Sequence, residues 1–156
     1  MIPTGLGSRS LPAPQGTHPG AAAGMFRLCF QSGASETRDA MLALRAFLVA
    51  QGVSSEAAGT VELVLAEACN NVTEHAYEDR PGAVDLCVAL DHRGAHCRII
   101  DTGRPLPSGT PPVNPPDPPC ALPEGGFGWY IIRSLSSTLD YRCEGGRNVL
   151  RLCIAL

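Results

Sequence analysis

No apolar run in the chain approaches the roughly 20 residues that a bilayer-spanning helix requires, and no secretory apolar stretch stands near Met1. A cytoplasmic protein without membrane contact is therefore expected. A formal charge of only −3 gives no global attraction to nucleic-acid phosphates or anionic lipid, so direct nucleic-acid binding is not expected either. The seven cysteines contain no CxxC pair, which argues against a disulfide framework and for reduced thiols acting as small buried hydrophobes. Also missing are the glycine–lysine–hydroxyl ending of a Walker A loop and a Rossmann glycine fingerprint after a first strand.

What is present fits one domain: 156 residues, 44% of them apolar, are enough for a single core but not for two. The 17 glycines and 14 prolines are concentrated in two stretches. Residues 1–24 are rich in Gly, Pro, Ser and Ala without periodicity and read as a disordered leader. Residues 104–126 carry nine prolines, too many for helix or sheet. So long a loop within a compact domain is commonly a lid, a binding loop or a disordered insertion.

Between these stretches the periodicity is legible. Met25 to Phe30 alternates as a strand, and Ser35 is placed to cap a helix carrying Met41, Leu42, Leu44, Phe47 and Leu48, which Gly52 would end. Ser54 or Ser55 would cap a longer helix running to about Tyr77, stopped by Arg80-Pro81-Gly82. Strands follow at Val84–Leu90 and His96–Asp101, then a helix from Gly128 to about Ser136, and strands at Leu139–Cys143 and Asn148–Ile154. Strands linked as hairpins, rather than alternating with helices, predict an α+β two-layer sandwich. Its sheet would be mixed but mainly antiparallel, with the helices on one face.

Three places carry candidate chemistry. Glu67, Asn71 and His75 stand four residues apart on the second helix, each displaced about 40° around the axis from the last, beside the apolar positions Val61, Val64, Leu65, Ala68 and Val72. They form either the floor of a polar pocket or a solvated border. Asp101-Thr102-Gly103 follows a strand. It is either a local Asx turn or a carboxylate presented to an exocyclic amine. Gly125-Gly126-Phe127-Gly128 precedes a helix, as a hinge or as a cradle offering free N–H groups to phosphate oxygens.

As an ordered set, EACNNVTEHAYE on a helix, DTG after a strand and GGFGWYIIRSL opening a helix resemble the N, G1 and G2 boxes of the GHKL ATPases. The likeness is greatest to their anti-sigma-factor serine kinases and covers about Phe26 to Leu156. It implies the Bergerat ATP-binding fold in 25–156, with 104–126 as the ATP lid. It further implies that Asn71 ligates a Mg²⁺ ion bridging the phosphates of ATP and that Glu67 is the general base. Asp101 would bind the adenine amine, Gly103 would admit the base, and Gly126 and Gly128 would bring N–H groups to the phosphates. The pattern departs from the superfamily at Arg104-Pro105, where a second glycine is common. It departs again at Arg147-Asn148, where relatives often place a threonine.

The implied activity is an ATP-dependent serine protein kinase acting as an anti-sigma factor. It would bind a sigma factor in one state and phosphorylate a serine of an anti-anti-sigma antagonist protein to switch partners, working as a homodimer. The alternative is a non-catalytic ATP-binding module that sequesters a protein partner; the presence of Glu67 favours the enzyme. A histidine kinase catalytic domain is disfavoured because the stretch before Phe26 holds no helical dimerisation segment, and its only histidine, His18, lies among Gly and Pro.

Overall fold

The computed structural model describes residues 24–113 and 127–156. Apart from Gly24, the expected leader lies outside these residues, as does the second half of the proline-rich loop. The elements are β1 (Met25–Gln31), α1 (Ala34–Ala50), α2 (Ser55–Asn71), a π-helical turn (Val72–Ala76), β2 (Ala83–Asp91), β3 (Gly94–Asp101), α3 (Phe127–Leu135), β4 (Thr138–Glu144) and β5 (Arg147–Ile154).

The strands form one five-stranded sheet in the order β1-β2-β3-β5-β4. Every pairing among the described residues is antiparallel, so the parallel component expected of a mixed sheet is not found there. Two tight hairpins set the register. In β2–β3 the Arg93 N–H donates to Asp91 Oδ1 at 2.7 Å. In β4–β5 the turn is Gly145-Gly146 with φ of 58° and 73°, a left-handed pair that a two-residue hairpin demands and glycine supplies without strain.

Alternation decides which face is covered. Val84, Leu86 and Val88 of β2, Ala95, Cys97 and Ile99 of β3, and Leu150, Leu152 and Ile154 of β5 are all buried, and they join one core with Leu44, Leu48, Val61, Val64, Leu65 and Ala68 of α1 and α2. Residues of the other parity, such as Arg27, Cys29, His96 and Arg151, are exposed. The result is the expected two-layer α+β sandwich with the helices on one face. Full burial of each large aliphatic side chain contributes about 1.5–3 kcal/mol, which is why the two helix stripes and one strand parity select each other.

Helix ends show what local chemistry decided. Ser54 caps α2, its hydroxyl accepting from the Ala57 N–H at 3.2 Å. Ser35 does not cap α1: the helix begins at Ala34, and Gly33 occupies the cap position without a side-chain bond. The second helix reaches Ala76 as the pattern predicts, but its last turn widens, with the Tyr77 N–H bonding to Val72 O at 3.0 Å. There the Thr73 hydroxyl donates back to Cys69 O at 3.2 Å, a side-chain bond that competes with regular helical pairing.

Candidate functional site

The sheet register brings two polar residues together on the helix-facing side. Val84, Asp101 and Asn148 pair directly across β2, β3 and β5, one row beyond the apolar Leu86, Ile99 and Leu150. Asp101 and Asn148 are therefore at the end of the core, 6% and 3% exposed. A cleft of about 730 Å³ opens beside them, between the C-terminal end of α2, the π-helical turn, Trp129 of α3 and the proline-rich loop. Its walls include Asn71, His75, Ile99, Asp101, Leu106 and Tyr141.

Asp101 Oδ1 accepts from the Gly103 N–H at 2.9 Å and from Asn148 Nδ2 at 2.7 Å. Its second oxygen has no partner among the described residues and belongs to a residue lining the cleft. Burial pushes the Asp101 carboxyl above the usual aspartate range, while the bonds from Asn148 and Gly103 pull it back. The Asx turn and the presentation of an acceptor are thus one geometry: the turn engages one oxygen and leaves the other for a ligand donor.

Glu67 and Asn71 lie one helical turn apart on α2, both half-buried, and the start of α3 comes against them. A Cβ on Gly128 would stand 2.9 Å from Glu67 Oε2 and 3.4 Å from Asn71 Oδ1, so a side chain here would displace the Glu67 carboxylate that glycine leaves in place. Asn71 Nδ2 is buried without a hydrogen-bond partner. An unsatisfied buried amide costs about 1–3 kcal/mol, and the site is complete only when a further group supplies what this amide lacks. Glu67 is not part of the cleft wall; it stands beyond Asn71, beside Gly128. Gly126 lies outside the described residues.

The close approach that Gly103 permits is to the π-helical turn. A Cβ there would come within 2.5 Å of Ala76 O, to which the Arg104 N–H donates at 2.8 Å. Tyr77 adds a second tie, donating its hydroxyl to Ala83 O at 2.7 Å and accepting the Thr102 N–H at 3.0 Å. Two further anchors hold the described part of the loop over the cleft. The Leu106 N–H donates to Tyr141 Oη at 3.0 Å, and Arg133 of α3 donates to Pro111 O at 2.8 Å and Pro112 O at 2.7 Å. His75, on the stripe with Glu67 and Asn71 by its spacing, is exposed and lines the cleft.

The sequence holds no lysine. Arg104, the one arginine lining the cleft among the described residues, is paired with Glu78. Nor do three or more His, Cys, Asp or Glu side chains gather as a metal cage among those residues. An anionic ligand here would have its charge met by backbone N–H groups, or by a cation sharing its own oxygens with one protein ligand, as Mg²⁺ commonly does. None of the described helices is long and apolar enough to cross a membrane.

Asn148 and Tyr141 are the two site residues whose part the motifs did not convey. Both occupy inward positions, Asn148 in step with Leu150 and Leu152, and Tyr141 with Leu139. A polar side chain on the core parity of a strand is the signal that marks them.

The histidine kinase-like ATPase domain family matches residues 30–154. Serine-protein kinases RsbW of Bacillus cereus (strain AH820) and Bacillus mycoides (strain KBAB4) are each 27% identical over 95 residues, covering 58% of this chain and 59% of the relative. The match thus spans about three fifths of those curated relatives. In structure the chain resembles the RsbU and RsbW domains of Rv1364c from Mycobacterium tuberculosis, with a TM-score of 0.59 at 16% identity, over 85% of this chain and 32% of that one; this likeness speaks to the fold. With the family matching most of the chain, from β1 to the end of β5, the protein belongs to the histidine kinase-like ATPase domain family.

Proposed function

We propose that the chain is an ATP-dependent serine protein kinase acting as an anti-sigma factor. It binds a sigma factor in one state and phosphorylates a serine of an anti-anti-sigma antagonist in the other, in the cytoplasm and as a homodimer. The observation that carries this reading is the convergence of Glu67, Asn71 and the α3 start at Gly128, adjoining a cleft that displays an acceptor-only carboxylate, Asp101. The similarity to serine-protein kinases RsbW supports the kinase branch.

ATP and Mg²⁺ fit the residues present. The free oxygen of Asp101 accepts from the adenine amine; the Asn71 carbonyl oxygen would hold Mg²⁺, and its unsatisfied Nδ2 would donate to a phosphate oxygen. Gly126 and Gly128 offer backbone N–H groups to the phosphates. When bound, Mg-ATP supplies the phosphoryl group. Glu67 takes the proton from the partner's serine hydroxyl while that oxygen forms its bond to phosphorus and the bond to the departing ADP breaks. Such transfer depends chiefly on positioning and charge neutralisation, so a base, one metal ligand and oriented amides suffice.

The test is incubation with Mg-ATP labelled on its γ-phosphate and antagonist-domain proteins encoded in the same genome. Label is expected on a partner serine, reduced by a hundredfold or more in Glu67→Ala, about the contribution of a general base. In calorimetric titration Glu67→Ala should still bind Mg-ATP and Asn71→Ala should not. Tight Mg-ATP binding by Asn71→Ala would remove the metal assignment. ATP binding without transfer to any candidate partner would replace the kinase with a non-catalytic ATP-binding module that sequesters its partner.

A further inference from the structure

The bonds around Asn148 run in one direction only. Its Nδ2 faces three acceptors, Asp101 Oδ1 at 2.7 Å, Gly103 O at 3.1 Å and Arg104 O at 3.3 Å, and an amide turned the other way would set its oxygen against all three. Its Oδ1 accepts from the Tyr141 hydroxyl at 2.9 Å. Having spent its proton there, Tyr141 Oη receives the Leu106 N–H at 3.0 Å. The proton order is fixed from the loop through Tyr141 and Asn148 to Asp101.

We propose that Asn148 and Tyr141 are positioning residues that make the cleft selective for a 6-amino purine and couple occupancy of Asp101 to the docking of the proline-rich loop. The inference rests on the nucleotide-binding reading above. Asn148 can only donate to Asp101, so the carboxylate is held as an acceptor with one oxygen engaged and the other turned to the ligand. A 6-oxo purine presents an acceptor at the same place and leaves two acceptors facing each other without a proton. The loop end of the relay follows from the same order. The Tyr141 hydroxyl is oriented by Asn148, and its lone pair is what the Leu106 amide finds. Asn148 reaches the loop directly as well, through the carbonyls of Gly103 and Arg104.

The experiment is titration of the full chain with Mg-ATP and with Mg-ITP, which differ at the 6-substituent and in the proton that the 6-oxo base carries on N1. It is run on the wild type, Asn148→Ala and Tyr141→Phe, with amide hydrogen exchange of residues 104–113 read in the ATP-bound state. The wild type is expected to prefer ATP. Asn148→Ala should lose about tenfold or more in ATP affinity, roughly one charge-assisted hydrogen bond, with ITP affinity little changed, so that selectivity collapses. Tyr141→Phe keeps the ring and the fold, and should show a several-fold loss of selectivity with faster exchange at Leu106. Equal loss of ATP and ITP affinity in both variants would reduce the pair to ordinary core support and overturn the proposal. Unchanged selectivity in Tyr141→Phe together with unchanged exchange at Leu106 would overturn the relay. A wild type that binds neither nucleotide would sink the nucleotide reading itself, whereas one that binds both equally would sink only the selectivity.

Discussion

Asp101 is held in its charged form against its own burial, and the two requirements on it can be separated by pH. Because burial raises its carboxyl above the ordinary 3.8, the folded chain takes up this proton before the unfolded chain does on acidification. The stabilisation linked to it is complete below 3.8 and is lost as pH rises through the raised value. At neutral pH the ionised Asp101 is therefore a net cost to the empty protein, accepted because an acceptor is needed in the cleft. Asp101→Asn keeps an oxygen for Gly103 and Asn148 while removing the charge. It should melt no lower than wild type at pH 7.5 without nucleotide, yet lose selective ATP binding. In the wild type the ratio of ATP to ITP affinity should fall on acidification, beginning above the usual aspartate range. Calorimetry from pH 7.5 down to the acid limit of the fold measures this, and a ratio flat over that whole range would mean that Asp101 is not the group reading the amine.

Among the elements, the junction between the π-helical turn and the Asp101-Thr102-Gly103 turn is the joint on which the cleft depends. Gly103 has room for no side chain because Ala76 O would lie 2.5 Å from its Cβ, and that neighbour is backbone. Gly103→Ala must displace the turn or the strand end. It is expected to cost about 1–3 kcal/mol in urea denaturation and to weaken ATP binding, since the Arg104 N–H bond to Ala76 O goes with it. A variant as stable as the wild type would show the junction to be pliable. This joint also marks where sequence stopped being legible. The i, i+4 spacing of Glu67 and Asn71, the Ser54 cap and the alternation of β2, β3 and β5 all report on neighbours within one element, and each is found in place. The widened turn after Asn71 adds a residue to the helical repeat, and no periodicity announces it. Ser35 suits a cap as well as Ser54 does, but Gly33 takes that position in α1. Asn148 could be seen as a polar residue on a core parity, while its partners across 47 and 7 positions depend on strand order, which alternation does not encode.

For the molecule as a whole, the cysteines supply a reporter that distinguishes local breathing from loss of the sandwich. Cys69 on α2 and Cys97 on β3 are buried on opposite layers of the same core. Desolvation pushes the Cys69 thiol up to about 12 and raises Cys97 further, so neither offers an appreciable thiolate at neutral pH. Cys29 and Cys143 are exposed. Iodoacetamide at pH 8 should modify Cys29 and Cys143 quickly and leave Cys69 and Cys97 until the layers separate. If ATP binds only the folded state, nucleotide at 100 times its Kd adds about 2.7 kcal/mol of stability. Labelling of Cys69 and Cys97 through global opening should then slow about a hundredfold, with no change at Cys29 or Cys143. Mass spectrometry of the alkylated peptides reads all four sites in one experiment. Equal slowing at Cys69 and Cys97 means that α2 and the sheet open together as one cooperative unit. Slowing at Cys69 alone would mean that the nucleotide steadies α2 through Asn71 without holding it to the sheet, and the two layers would then be separate folding units.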